Sequence, residues 1–483
     1  MFSSQYRFYW FIILFTGLLL RVYHLNLPLL ESQPNRQIMD AFMIRQLYRP
    51  QEPLQVDFSL LGFPLYHSLA VGLYHLWGSE NLIFGRLISV FSSLASLWFF
   101  VLISRSLTSE KISLWASFFF FILSPINLIM ARAVQIDQLT LATSLATTYF
   151  LMRQKYWLSL GLFALTLAQH ATSAHLALPL LAIFYFGETN LLYSQIGFSL
   201  FKRISVWGYF LVSIGLAGLW YVVMFKLNQT VPGGGWIEAL DPRIWISLNH
   251  LLSVKFWANA FYNFTDWTST VISLPFFLLG WFSRPVRPYA LFYAWFFGAV
   301  LSLIYRSQPA ITTSYYFLAF VPPFAVFAAK GVNLLLRQFN LKSLTISFRF
   351  FLLILAVTTV VSTWRSYIFN LYTVHWKHTQ VLEAALRVQQ LTPKSAKVIA
   401  TSYSSGALQF YLDRVSRSLV IVASQEPENP TIMEFYQLKH WGAEYYVISD
   451  ITELDKNPLF KAEIFRYPVV FTTDKILLVK LTP

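Results

Sequence analysis

Long apolar runs, separated by short clusters of Arg, Lys, Trp and Tyr, dominate the chain. A helix needs about 20 predominantly apolar residues to cross the hydrocarbon core, with a range of roughly 17–25. Eleven segments meet or approach that length, near 6–23, 82–104, 112–130, 136–152, 157–171, 173–187, 206–225, 267–283, 289–305, 315–336 and 348–366. The fifth and sixth are short enough to form a tilted or re-entrant hairpin. Two stretches break the pattern. Residues 24–81 mix polar residues with the amphipathic segments Gln37 to Tyr48 and Phe63 to Trp77, a kind that lies in the interface plane. Residues 367–483 alternate between the two periods. They predict helix His378–Gln390, strand Lys397–Thr401, helix Gly406–Leu412, strand Leu419–Val422, helix Thr431–Trp441, strand Tyr445–Ser449 and strand Ile476–Lys480, with loops at Pro393 and at Asp455-Lys-Asn-Pro. That alternation predicts a small α/β domain with a partly parallel sheet.

The expected fold class is therefore a polytopic α-helical membrane protein of about eleven transmembrane helices with a small C-terminal extracytoplasmic α/β domain. The membrane domain covers 1–366, with outer loops at 24–81 and 226–266, and the α/β domain covers 367–483. No repeat at a period of 20–50 residues and no low-complexity tract interrupts it.

Composition agrees. Of 483 residues 56% are hydrophobic and 12% charged, against about 25% charged in a soluble chain. Cysteine is absent, which excludes a disulfide framework, thiol catalysis and cysteine-ligated metals. The formal charge of +14 does not point to nucleic acid, because Lys and Arg stand in ones and twos between apolar runs. With a cytoplasmic N-terminus the inner turns hold Arg7, Arg105, Lys111, Arg153, Lys155, Lys202, Arg203, Arg284, Arg287, Arg337 and Lys342, opposed by Glu110 and Glu188. The outer side holds Glu31, Asp40, Glu52, Asp57, Glu80, Glu238, Asp241 and Asp266. This satisfies the positive-inside rule, and an odd span count places 367–483 outside a plasma (inner) membrane. Arg21-Val-Tyr-His follows the first span without a small-residue cleavage site, so that span is expected to remain as an anchor.

Candidate chemistry gathers at the outer rim. Asp137 follows Arg132 by five residues. It reads either as a carboxylate at the mouth of a cavity or as half of an interfacial ion pair capping the next helix. Arg36 and Asp40 stand at i,i+4 and share a helical face, as a surface salt bridge or as part of a site. Glu31, His170, His175, Arg306, Tyr315 and Tyr316 lie on the same side. The two histidines are five apart, which does not fit a helical i,i+4 metal pair. Pro232-Gly-Gly-Gly-Trp236 lacks the Gly-Lys-Ser/Thr ending of a phosphate loop and reads as a turn. Asn228-Gln-Thr230 and Asn263-Phe-Thr265 match the glycosylation acceptor pattern, which recurs often by chance. No spacing demands a cofactor, although the outer acids offer oxygen ligands for a divalent cation.

In this order these residues resemble bacterial members of glycosyltransferase family 39, the protein mannosyltransferase-like and aminoarabinose transferase-like enzymes of GT-C fold. The likeness rests on Arg36-Gln37 through Ala41 to Arg45-Gln-Leu-Tyr48, and on Gly62-Phe-Pro-Leu-Tyr66 with Leu76-Trp-Gly78 and Gly85-Arg-Leu87. It continues in Ser124-Pro125 with Arg132 and Asp137, and in Thr313-Ser-Tyr-Tyr316 with Pro322-Pro323. Lys397-Val-Ile and Gly442-Ala-Glu-Tyr-Tyr-Val-Ile448 extend it into the tail. Each motif is weak alone, and together they span most of the chain.

The resemblance implies transfer of a sugar, with inversion, from a polyprenyl-phosphate donor to a lipid, glycan or protein acceptor on the outer face. It implies Asp40 as general base, Asp137 as a second site carboxylate, Arg36 and Arg132 as phosphate partners, and His170, Tyr315 and Tyr316 near the donor. The chemistry suits the residues: an acceptor hydroxyl needs a base, and a departing lipid phosphate is bound well by a guanidinium. The sequence also departs from the pattern. Met39 stands at the family's Asp position and Asp40 at its Thr, Gly62 replaces a Glu, and Thr313-Ser314 replace His-Glu. The base is then Asp40 after a shift of register, or Glu31, or it is missing. A non-catalytic homologue that binds lipid-linked sugar or scaffolds envelope assembly is the alternative from another class. A transporter is a third, disfavoured by the lack of internal repeats and of paired broken spans.

Overall fold

The computed structural model describes residues 14–23, 25–26, 29, 34–50, 62–108, 110–186, 204–228, 247–284, 289–307, 314–338, 344–365, 373–402, 405–424 and 429–481. The chain divides into two compact units. The first takes in 1–25, 59–69 and 83–368, and the second 26–58, 70–82 and 369–483. Much of the first outer loop thus groups with the C-terminal residues and not with the membrane domain to which 24–81 was assigned.

The first unit is helical. Among the described residues three helices are long and apolar enough to cross a bilayer unaided: Leu82–Leu107, Ile204–Leu227 and Ser314–Gln338. The count of about eleven spans is not confirmed, and several of the runs are broken. The 112–130 run forms Lys111–Ile122 and Pro125–Met130. Pro125 has no N–H to donate and its ring clashes with the preceding turn, so the helix must restart there. The 267–283 run begins as a π-turn, Phe264–Ser269, breaks at Thr270 and resumes as the nine-residue helix Leu274–Phe282. Thr270 sits at φ +109°, a region that a β-branched residue rarely enters.

Two glycines set the closest packing in this unit. A Cβ on Gly280 would stand 1.8 Å from the carbonyl oxygen of Phe327, and one on Gly331 would stand 1.9 Å from that of Phe276. Helices Leu274–Phe282 and Val321–Gln338 therefore cross backbone to backbone, as small residues allow inside membranes. Phe277, Phe324 and Phe327, all buried, pack around that crossing.

The second unit is built on a five-stranded sheet of order β2-β1-β3-β5-β4. Its strands are β1 Lys397–Thr401, β2 Val415–Ser418, β3 Tyr445–Ile448, β4 Val469–Thr472 and β5 Leu477–Lys480. β1 runs parallel to β2 and β3, while β5 runs antiparallel to β3 and β4. Ile399, Tyr446 and Val479 stand in register across the three middle strands and pack on Phe435 and Phe460. Two expectations change. The second strand lies at 415–418 and not 419–422, entered directly from Asp413 at φ +49°. The stretch containing Asp455-Lys-Asn-Pro is not only loop: Asn457 caps the helix Pro458–Ile464, and Asn429 caps Pro430–His440 in the same way. The two cap side chains also bond each other, Nδ2 of each to Oδ1 of the other at 2.7 and 2.9 Å.

Helix Pro34–Tyr48 belongs to this unit and is not an interface-lying helix. Ile38, Ala41, Phe42 and Ile44 are buried. Phe42 meets Phe410 edge to face at 5.1 Å, and Arg45 lies 3.8 Å over the Phe410 ring. Arg45 also donates to the Phe410 carbonyl at 2.8 Å and pairs with Glu80 at 2.8 Å. Protein, not lipid headgroup, covers the apolar face.

Candidate functional site

The turn between Met130 and Asp137 is held from several sides. Ser124 Oγ donates to the Thr268 carbonyl at 2.8 Å, and Asn127 Nδ2 to that of Phe121 at 2.7 Å. Gln138 Nε2 then donates to Asn127 Oδ1 at 2.8 Å. From the Leu82–Leu107 helix, Ser89 Oγ donates to the Ala133 carbonyl at 2.6 Å. Gly85 lies so close to Val134 that its absent side chain is part of the fit. These groups are buried, so each bond also satisfies an atom that would otherwise be costly to desolvate.

The consequence is a fixed place for Asp137. It is the first residue of helix Asp137–Met152 and is 8% exposed. Ile136, not Asp137, occupies the cap position, and no side chain caps this helix. The capping reading is thereby corrected. A carboxylate in the first helical turn is still favoured by the helix dipole. Arg132 is buried within the turn that leads to it.

Asp137 opens onto a small cleft, of about 50 Å³, lined by Thr140, Leu141, Ser144, His170, Thr172, Ser173, His175, Ser302, Tyr315, Tyr316, Leu318 and Ala319. Four predicted site residues, Asp137, His170, Tyr315 and Tyr316, thus meet here. His170 ends the helix Tyr156–Gln169 in an extended conformation, and its Nδ1 bonds Thr172 Oγ1. Tyr315 Oη donates to Tyr316 Oη at 3.3 Å, and the buried Arg306 stacks 4.6 Å over the Tyr316 ring. Trp295, fully buried, fixes one wall by donating from Nε1 to the Ala319 carbonyl at 3.0 Å. A Cβ on Gly298 would lie 2.2 Å from the His175 carbonyl oxygen, so helix Ala290–Tyr305 runs directly against that backbone.

Sequence reading put His175 at the outer rim without giving it a role, and it placed Thr140, Ser302 and Gly298 in no site. The structure also explains one departure from the resembled pattern. A Cβ on Gly62 would stand 2.2 Å from the Gln169 carbonyl oxygen, and Phe63 N–H donates to the Ala168 carbonyl at 2.8 Å. The space of the absent Glu is filled by backbone.

Arg36 and Asp40 form an ion pair at 3.4 Å in the second unit. Asp40 is 5% exposed, so the pair is interior and not a surface salt bridge. Glu31 lies outside the described residues, as do Thr313 and residues 229–246 of the second outer loop, the Pro232–Trp236 run among them. Among the described residues no group of three or more His, Asp or Glu is placed to hold a metal ion.

No family model and no curated protein sequence matches this chain. Solved structures do. ArnT from Cupriavidus metallidurans bound to undecaprenyl phosphate superposes with a TM-score of 0.67 at 13% identity, covering 98% of each chain. The apo state of the same protein gives 0.65 at 13% identity, covering 99% of this chain and 98% of its own. The fold is that of ArnT. The agreement runs from end to end, so the membrane helices and the C-terminal sheet correspond to parts of one ArnT chain. At such low identity it extends to the backbone and leaves the side chains of the cleft to be argued from their own chemistry.

Proposed function

We propose that this protein is an integral membrane glycosyltransferase of the plasma membrane. In this reading it moves a sugar from a polyprenyl-phosphate donor to an acceptor on the outer face, with the N-terminus cytoplasmic and the sheet unit extracytoplasmic. The observation that carries the reading is the Asp137 cleft, walled by hydroxyl groups, on a fold shared along its whole length with ArnT. ArnT was solved with undecaprenyl phosphate bound, which supports a lipid-phosphate carrier.

Each step needs a group that the chain supplies. The acceptor oxygen attacks the anomeric carbon while the bond from that carbon to the phosphate oxygen breaks. The acceptor's proton passes to a carboxylate and the lipid phosphate leaves as an anion. Asp40 is the proposed base, with Glu31 in reserve, and Asp137 the carboxylate that faces the sugar. Arg36 and Arg132 are the proposed phosphate partners. His170, Tyr315 and Tyr316 shape the donor side.

The second reading is a homologue that binds lipid-linked sugar without transferring it. The backbone-filled position at Gly62 favours it. Purified protein incubated with radiolabelled undecaprenyl-phosphate sugars and envelope extract separates the two. Transfer that falls at least a hundredfold in Asp40→Asn supports the base assignment. Donor binding without turnover in the wild type sinks the transferase and leaves the binding protein. An EDTA arm of the same assay reports on a divalent cation.

A further inference from the structure

His175 lies in the cleft wall but has no role in the mechanism above. Its Nδ1 is 2.9 Å from the Thr172 carbonyl oxygen. A carbonyl only accepts, so Nδ1 must carry the proton. In the neutral ring Nε2 then presents a lone pair. That nitrogen is buried and finds no hydrogen-bond partner among the described residues. The nearby hydroxyls are turned to other acceptors: Ser302 Oγ reaches the Thr172 carbonyl at 3.5 Å, and Tyr315 Oη donates to Tyr316. The ring is held by Trp295, whose centroid is 6.3 Å away, and its backbone by the close approach of Gly298.

A buried acceptor of this kind is unfavourable for an anion. A phosphate oxygen brings only lone pairs to face it, whereas a sugar hydroxyl brings the missing proton. We propose that His175 Nε2 accepts a hydrogen bond from a hydroxyl of the donor's sugar, making it a specificity-determining residue that distinguishes the glycosylated lipid from the bare lipid phosphate. This rests on the cleft being the donor site.

The test uses the full chain in lipid nanodiscs and two probes, undecaprenyl-phosphate glucose and undecaprenyl phosphate. His175→Asn keeps a donor near the Nδ1 position for Thr172 and deletes the Nε2 acceptor. His175→Gln places a carbonyl oxygen near Nε2 and gives up the tie to Thr172. The expected result is that His175→Asn weakens the glucose-bearing probe about 5–10-fold, the worth of one neutral hydrogen bond, with the bare probe unchanged. His175→Gln stays within about twofold of the wild type on both. If His175→Asn binds the glucose-bearing probe as the wild type does, or weakens both probes alike, the residue only holds Thr172 and the proposal is wrong. Histidine-labelled protein gives a readout independent of affinity: Nε2 of His175 should report as unprotonated by ¹⁵N NMR, and a protonated Nε2 overturns the proposal too. Binding of neither probe by the wild type overturns the cleft reading itself, an outcome distinct from the other two.

Discussion

Helices Ile204–Asn228 and Val321–Gln338 have similar hydropathy and nearly opposite surroundings. The most apolar window of the first has a mean hydropathy of 1.9 and is 22% buried, while the corresponding window of Ser314–Gln338 has 1.6 and is 78% buried. Leu211, Ile214, Leu219 and Val222 are exposed along the first, as expected of side chains that meet lipid. The second is enclosed by aromatic rings, and even Lys330 is buried there, donating to the Arg284 carbonyl at 3.1 Å. Hydropathy reports that a segment belongs in the bilayer. It does not report whether protein or lipid surrounds it. The glycines do: Gly208, Gly215 and Gly218 have nothing within 4 Å of a built Cβ, whereas Gly331 has a backbone oxygen within 1.9 Å.

The sharpest way to break this comparison is to add a methyl group to each helix. Gly331→Ala and Gly280→Ala should each cost about 3 kcal/mol or more, because the obstruction is backbone and cannot rotate away. Thermal unfolding in detergent should show a large drop for both. Gly215→Ala, read in the same way, should stay within about 0.5 kcal/mol of the wild type. Equal losses at all three positions would mean that burial does not separate the two helices.

Gly298→Ala comes next. It should force helix Ala290–Tyr305 off the His175 backbone and weaken binding of a glycosylated lipid about tenfold, with a smaller stability loss than Gly331→Ala. A binding isotherm beside the melting curve checks both halves. Ser89→Ala leaves the buried Ala133 carbonyl without that donor and should cost about 1–3 kcal/mol, loosening the turn that presents Asp137. The smallest effect concerns how the exposed helix is attached. Tyr209 Oη and Ser159 Oγ lie 2.8 Å apart, and Tyr209→Phe should cost about 1 kcal/mol.

Much of this architecture was legible because apolar length and strand alternation are local signals. β1, at 397–401, and helix Asp137–Met152 come directly from them. What escaped depends on contacts distant in sequence. β4 is an exposed edge strand defined by its pairing with β5, and its own residues carry little pattern of burial. Helix Pro34–Tyr48 looks amphipathic in either setting, and only Phe410 and Glu80 show that protein covers it. In the site, Asp137 was visible as an acid next to a span. His175 was visible only as a rim histidine and its role was not, because its tautomer is set by the Thr172 carbonyl and its place by a glycine on another helix.

The central claim is that Asp137, presented by its pinned turn to the hydroxyl-lined cleft, takes part in sugar transfer. The most direct measurement is the initial rate of transfer from a radiolabelled undecaprenyl-phosphate sugar by the wild type, Asp137→Asn and Asp266→Asn. Asp266 is a second carboxylate of the same unit, paired with Arg365 and outside the cleft lining. The account predicts a fall of at least about a hundredfold for Asp137→Asn and a rate within a few fold of the wild type for Asp266→Asn. Undiminished transfer by Asp137→Asn in a protein that melts like the wild type would contradict it.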